Sequence, residues 1–229
     1  MTKEQFFPEL DACITKHDLL CHPFYQAWSA GTLTRDDLRE YAADYYHHVA
    51  AFPEYLRELA ARTVDGGLRG AILSNRADEL GADGGPAHHE LWLDFAEGMG
   101  ADRAAVVKHE PVAEVSELMA TFRRIATEGT PEEALAAFYA YESQVPRVAQ
   151  AKARGLRQWY GADSKTCAYF TLHQTADVQH ARVWREQLGS QVSGAKSQEE
   201  VLDAAETAAR ALWRALDGIE RERQARKAA

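Results

Sequence analysis

The sequence predicts an all-α fold, a single domain built as a bundle of seven or more helices. Apolar residues recur at helical spacing along most of the chain, and no convincing run alternates apolar and polar side chains as a half-buried strand would. The boundaries between these segments are marked by helix caps, glycines and prolines. A length of 229 residues fits one domain and can bury a substantial core, so residues 1–229 are read as one unit with a flexible C-terminal tail at about 222–229.

The elements follow in order. An amphipathic stretch runs from about Lys3 to Lys16, and HDLLCH connects it to Pro23, well placed as a first helical residue. The next helix carries Phe24, Tyr25 and Trp28 and stops at Gly31. Thr34, with Asp37 three positions later, resembles a capping box and opens a long helix through YAADYYHHVAAF, which Pro53 should kink or break. A helix from Leu68 to Leu80 ends in the turn GADGG, and another holds HHELWLDFAEGMG. Shorter helical segments cover about Ala101–Val107 and Val112–Glu128. Thr130-Pro131-Glu132-Glu133 starts a long helix toward Trp159 that stops at Gly161. The next spans about Ser164 to Leu188. After the polar linker GSQVSGAKS, a last helix runs from Gln198 onward.

Composition narrows the function classes. Apolar residues make up 46% and charged residues 27%, which is the balance of a soluble globular chain. A net charge of −9 argues against a nucleic-acid partner, which wants clustered Lys and Arg. The basic residues Arg221, Arg223, Arg226 and Lys227 alternate with Glu and Gln and read as a solvated helix end. Three cysteines, Cys13, Cys21 and Cys167, have no paired spacing, so reduced thiols in a cytoplasm are expected. MTKEQFFPEL has no signal-peptide pattern, and no window is apolar enough for a membrane span.

Three local signals point to metal chemistry. His173, Asp177 and His180 fall at i, i+4 and i+7 of one predicted helix, where side chains stack on one face. Imidazole with carboxylate suits iron, manganese or zinc. The ordinary reading of that spacing is a solvated polar stripe, but Tyr169, Phe170 and Trp184 on the same face imply burial, and a buried Asp needs a partner. Glu142 follows Phe138, Tyr139 and Tyr141 in an apolar helix, where a carboxylate is costly unless paired; Arg147 is its alternative partner. Lys152 lies ten residues later, less than a quarter turn off the same face. Finally, Glu79 ends one helix and His88 starts the next, with Asp78 and His89 as immediate competitors. Together these give three histidines and three carboxylates from four helices, the way bundle di-iron proteins build their sites. Two aromatic segments, HPFYQAW with Tyr25 and YAADYYHHV with Tyr41, Tyr45, Tyr46, His47 and His48, read either as core wall or as tyrosines close to oxidising metal.

The motifs HPFYQAWSAGTLT, YAADYYHHVAAFPEYL, HHELWLDFAEGMG, YESQVPRVAQAKARGL and YFTLHQTADVQHAR carry a family resemblance. They resemble the family founded by the Chlamydia protein associating with death domains, within the wider fold group of the thiaminase-like TenA proteins and the pyrroloquinoline quinone synthase PqqC. The resemblance covers most of the chain, and YESQVPR together with the His-x3-Asp-x2-His segment is its most specific part. It implies a haem-oxygenase-like bundle that binds two metal ions rather than haem, iron with iron or iron with manganese. It further implies an oxidase or oxygenase supplying para-aminobenzoate for folate with dioxygen and an external reductant, in a self-sacrificing reaction. The resemblance places the ring donor at Tyr25, the amino donor at Lys152, and the metal ligands at Glu79, His88, Glu142, His173, Asp177 and His180. One departure stands out. The family turn has two adjacent acidic residues and a shorter link to the histidine, whereas here Asp78-Glu79-Leu80 is followed by GADGGPA, so Asp78 is the substitute for Glu79. Related bundles pair, which makes a homodimer the expected assembly. The competing readings are a conventional di-iron oxygenase or oxidase acting on a diffusible small molecule, and a non-enzymatic helical interaction protein. A thiaminase-like hydrolase would need an activated cysteine, and nothing distinguishes one here.

Overall fold

Side-chain caps open most of the helices that the sequence marks. Thr2, Thr34 and Thr130 each close a capping box with the residue three positions on, while Asp65 and Asp102 accept from first-turn amides. The computed structural model describes residues 2–228. Among them the helices are α1 (Lys3–Thr15), α2 (Pro23–Ser29), α3 (Arg35–Arg62), α4 (Gly66–Glu79), α5 (His88–Gly98), α6 (Arg103–Lys108), α7 (Ala113–Glu128), α8 (Pro131–Glu142), α9 (Val145–Tyr160), α10 (Ala168–His173), α11 (Ala176–Gln191) and α12 (Ala195–Ala228). Short 3-10 turns cover Leu19–Cys21 and Ala82–Gly84, and no strand occurs among the described residues. Residues 222–228 continue α12. No helix is long and apolar enough to cross a membrane.

α8 forms the axis of the bundle. Every residue from Ala134 to Glu142 is buried, as expected of a helix that is apolar all round. Small residues of α12 (Ala204, Ala205, Ala208, Ala209 and Ala215) face the interior, and α12 packs most heavily against α8 and α7. α3 closes the other side against α4, α5 and α7, and α11 packs on α8.

Three expected boundaries differ from the sequence reading, and two of them shape the site. Pro53 does not break α3. An interior proline costs a helix about 3 kcal/mol. Beyond it Tyr55, Leu56 and Leu59 are wholly buried, and each contributes roughly 1.5–3 kcal/mol. The helix expected from Thr130 to Trp159 is two helices. Pro146 lacks the amide that would bond Glu142 O, so α8 ends at Glu142 and Pro146 lies in the first turn of α9, where no such bond is needed. Gln144 fills the break, donating to Ala140 O and accepting from Leu19 N, both at 3.0 Å. The helix expected from Ser164 to Leu188 is interrupted at Gln174-Thr175, where the Thr175 hydroxyl bonds back to Leu172 O at 3.2 Å. His173 therefore closes α10, and Asp177 and His180 belong to α11, rather than sharing one helix face.

A close approach of α2 and α9 completes the frame. A Cβ on Gly155 would lie 2.8 Å from Trp28 Cδ1, so only glycine admits the indole there. Trp28 Nε1 donates to Lys152 O at 3.3 Å across the same contact. Gly155→Ala is expected to force the indole aside and to cost about 1–3 kcal/mol, read as a lower Tm in thermal unfolding.

Candidate metal centre

The helix ends do most of the positioning. Glu79 is the last residue of α4 and His88 the first of α5. Between them the chain reverses at Gly81, whose φ of +83° and lack of a Cβ are required because a Cβ would lie 2.3 Å from Gly85 O. The long link GADGGPA thus folds into a tight turn, and Glu79 Oε2 reaches His88 Nδ1 at 2.9 Å. Glu142 arrives from the end of α8, His173 from the end of α10, and Asp177 and His180 from the first turns of α11.

All six side chains are buried and fall into two groups. Donor atoms of Glu79, His88 and His173 lie within 4.8 Å of one another, and so do those of Glu79, Glu142, Asp177 and His180. Glu79 belongs to both groups. Because of the break at 174–175, His173 serves one group and Asp177 with His180 the other. Asp78, the alternative to Glu79, points elsewhere: its side chain is 49% exposed against 6% for Glu79, and it bonds the outer nitrogen of His180. His89 sits half-buried beside Glu90, outside both groups. Arg147 pairs with Asp18 at 3.2 Å and leaves Glu142 alone.

Outer partners orient each donor. His173 Nδ1 bonds Tyr169 O at 2.7 Å, which turns Nε2 toward the cluster. His180 Nε2 bonds Asp78 Oδ2 at 3.2 Å, which turns Nδ1 toward Glu142 and Asp177, each 3.2 Å away. Imidazoles that ligate metals are held in this way, with the second nitrogen on a carbonyl or carboxylate. Asn75 Nδ2 donates to Glu142 Oε1 at 2.9 Å, and Trp184 Nε1 donates to Glu142 Oε2. His88 Nδ1 has no hydrogen-bond partner, since its approach to Glu79 lacks hydrogen-bond geometry. A buried, orphaned imidazole nitrogen facing a carboxylate fits a metal donor.

Protonation shows the same crowding. Burial, reinforced by Glu142 and Glu79, raises the Asp177 carboxyl to about 7 against the pull of His180. Burial opposes charge on His180, yet Asp177 and Glu142 hold it up at about 11. Burial and the neighbouring His88 hold His173 down at about 4. Burial raises the Glu79 carboxyl, but the imidazoles of His88, His173 and His180 together hold it below its ordinary value. Protons here balance the same donors that a divalent cation would. Mixed imidazole and carboxylate donors fit iron or manganese, and each of the two donor groups could hold such an ion.

The two remaining predicted residues meet beside this cluster. Lys152 Nζ donates to Tyr25 Oη at 2.8 Å and to Tyr41 Oη at 2.5 Å, and the two phenols lie 3.0 Å apart. Lys152 is only 5% exposed, and burial lowers its pKa far below the ordinary value, which favours the neutral amine. Burial raises the Tyr25 and Tyr41 phenols, so both stay protonated. Tyr141 and Tyr169 line the cavity beside Lys152 and Tyr25 and also the cavity beside Glu79, Glu142, His173 and Asp177. Tyr169 also stacks on His173, ring centroids 4.0 Å apart. Sequence reasoning missed Asn75, which sits one turn before Glu79 on α4; that spacing was the available signal. Cys13 and Cys167 are buried, and burial raises both thiols, opposite to an activated nucleophile.

Known proteins align with this picture. The model of a family described as iron-containing redox enzymes matches residues 39–213. The 4-aminobenzoate synthase of Chlamydia pneumoniae is 39% identical over 92% of this chain and 92% of its own. The 4-aminobenzoate synthase of Nitrosomonas europaea is 38% identical over 96% of this chain and 92% of its own. A solved domain of unknown function with a haem-oxygenase-like fold, from Shewanella denitrificans, superimposes with a TM-score of 0.78 at 19% identity, covering 97% of this chain and 91% of that one.

Burial of Lys152 leads to a pH test. Its folded pKa is depressed, so folding must strip a proton from a lysine that is charged in the unfolded chain. That cost is absent above the ordinary lysine pKa and grows by ~1.4 kcal/mol per pH unit as pH falls toward the folded value. Lys152→Met should therefore raise Tm relative to the parent protein most near neutral pH, with the difference narrowing as pH rises toward the ordinary lysine value of 10.5.

Proposed function

The chain belongs to the family of iron-containing redox enzymes, and from that premise we propose that it makes 4-aminobenzoate from its own Tyr25 and Lys152, using dioxygen and an external reductant. In this reading Glu79, His88, Glu142, His173, Asp177 and His180 hold two ions, iron with iron or iron with manganese. The names of the two synthases support the product. The observation that carries the reading is the contact of Lys152 Nζ with Tyr25 Oη at 2.8 Å.

The substitution pattern of the product explains why that contact matters. In 4-aminobenzoate the nitrogen is para to the carboxylate. A tyrosine ring can supply this pattern when a C–N bond forms at Cζ as the phenolic oxygen leaves as water and the lysine Cε–N bond is cleaved, and when the Cα–Cβ bond breaks and dioxygen oxidises Cβ to the carboxylate, the external reductant supplying the remaining electrons. Lys152 approaches Tyr25 at the phenol end. Burial keeps its amine unprotonated, which leaves a lone pair for attack. Tyr41 bonds the same phenol at 3.0 Å and also accepts from Lys152, which closes a triangle that holds the phenol end of the ring. Trp28, Tyr41 and Phe24 pack around Tyr25 and exclude water from a reactive ring. The bound ions would supply the oxidising power by activating dioxygen. The cavity beside Lys152 is lined by Tyr25, Tyr45, Trp92, Tyr141, Tyr169 and Phe170, so an oxidisable ring of the protein itself already stands in it, which favours an internal substrate over a diffusible one.

Mass spectrometry of protein incubated with iron, reductant and dioxygen is expected to show loss of the side chain at Tyr25 as 4-aminobenzoate appears. Tyr25→Phe and Lys152→Met are each expected to abolish product. Product formed with Tyr25 intact would exclude it as the donor. The ligand set makes a separate prediction for metal analysis. Glu79→Gln should weaken both sites, His88→Ala one of them, and Asp78→Ala should cost roughly 10–100-fold in affinity by releasing His180 Nε2.

A further inference from the structure

The inward face of α3 carries Tyr41, Tyr45, His48, Phe52 and Tyr55 at helical spacing. His48 is 0% exposed, and neither of its ring nitrogens has a hydrogen-bond partner. The Tyr55 hydroxyl, one further step along the face, is likewise buried and unpartnered. A neutral imidazole always presents one N–H donor, and leaving it unpaired costs about 1–3 kcal/mol. Two such groups side by side on one helix face call for a role.

Their surroundings point in two directions. His48 packs 5.1 Å from Tyr141 between ring centroids, and Tyr141 lines the cavity beside Glu79, Glu142, His173 and Asp177. On its other side Tyr55 lies 6.0 Å away and feels the charges of Arg123 and Glu58, whose side chains are 57% and 21% exposed. Tyr45 and Tyr55 on α3 and Tyr141 on α8 are the titratable groups against His48, while α7 presents Phe122.

We propose that His48 and Tyr55 form a proton relay between solvent at Glu58 and Arg123 and the cavity beside the metal ligands. This rests on the reading that dioxygen is reduced there with electrons from an external reductant, since that reduction takes up one proton for each electron. In this relay a bridging water spans each gap, as water does between many polar groups that do not touch. One nitrogen of His48 takes a proton from the Tyr55 side in the same step as the other releases its proton to water toward the cavity, so that neither a phenolate nor an imidazolium is left buried. Tyr55 regains its proton from the Glu58 side, and His48, left as its other tautomer, is reset by a flip of the ring. Burial holds His48 down at about 3, so the ring is neutral and can donate from one nitrogen while accepting at the other.

The test uses the full-length protein, with and without redox-inert zinc, carrying nitrogen-labelled histidine for NMR. The His48 resonance is assigned by its loss in His48→Phe, or by its contact with the Tyr55 ring should that variant fold poorly. The expected result is that deuterium from solvent replaces the His48 ring proton in the parent protein and does so at least about tenfold more slowly in Tyr55→Phe, at equal Tm and metal content. Formation of 4-aminobenzoate should slow in the same variant. Equal exchange in the two proteins would overturn the relay, as would a slowed product rate explained entirely by lower Tm or metal content. The exchange measurement does not depend on product formation, so a parent protein that exchanges as expected but makes no 4-aminobenzoate would sink the functional reading and leave the relay standing.

Discussion

Three carboxylates gathered in an aromatic core constrain the rest of the molecule. Glu79, Glu142 and Asp177 are almost wholly buried, and charges so placed must be balanced within a few ångströms. Three imidazoles, an amide and an indole do part of this, and a pair of divalent ions would complete it. Glu79 carries the arrangement because it stands in both donor groups. Its position depends on the turn at Gly81, so a local backbone requirement is transmitted directly to the shared ligand.

The clustered donor side chains come from helix ends more than from helix middles. Glu79, Glu142 and His173 each close a helix, and His88 opens one. A residue at a helix end can be aimed by the adjoining turn, which a residue locked in mid-helix cannot. Pro146 and the Thr175 back-bond create two of these ends within segments that are otherwise strongly helical. Partners one layer out, Tyr169 O, Asp78, Asn75 and Trp184, then fix which atom of each side chain faces inward.

Beside the donor groups lies a second buried constellation with different chemistry. Lys152, Tyr25 and Tyr41 form a closed triangle of hydrogen bonds with no carboxylate in it. Desolvation therefore decides the protonation states: the amine is driven neutral and the phenols stay protonated. Tyr141 and Tyr169 form the partition between the two sites. The packing that stabilises the bundle thus also keeps a nucleophile, an oxidisable ring and a metal-type donor set dry and close together.

Much of this was legible in the sequence. Helical periodicity and caps located the elements, because both are local properties read from neighbours three and four positions apart. The buried donors could be singled out because a Glu among Phe138, Tyr139 and Tyr141, or an Asp beside Tyr169 and Phe170, has no ordinary place in a core. The same locality set the boundary of what the sequence determined. Pro53 was overruled by the burial of Tyr55, Leu56 and Leu59 beyond it, whereas the break before Pro146 is held by the bonds of Gln144 to Ala140 O and Leu19 N. The separation of His173 from Asp177 and His180 depended on one hydroxyl at Thr175. The choice of Glu79 over Asp78, and the meeting of Tyr25 with Lys152 from helices far apart in the chain, were decided by tertiary structure alone, because adjacency across a core follows from how helices pack and leaves no trace in the spacing along any one of them.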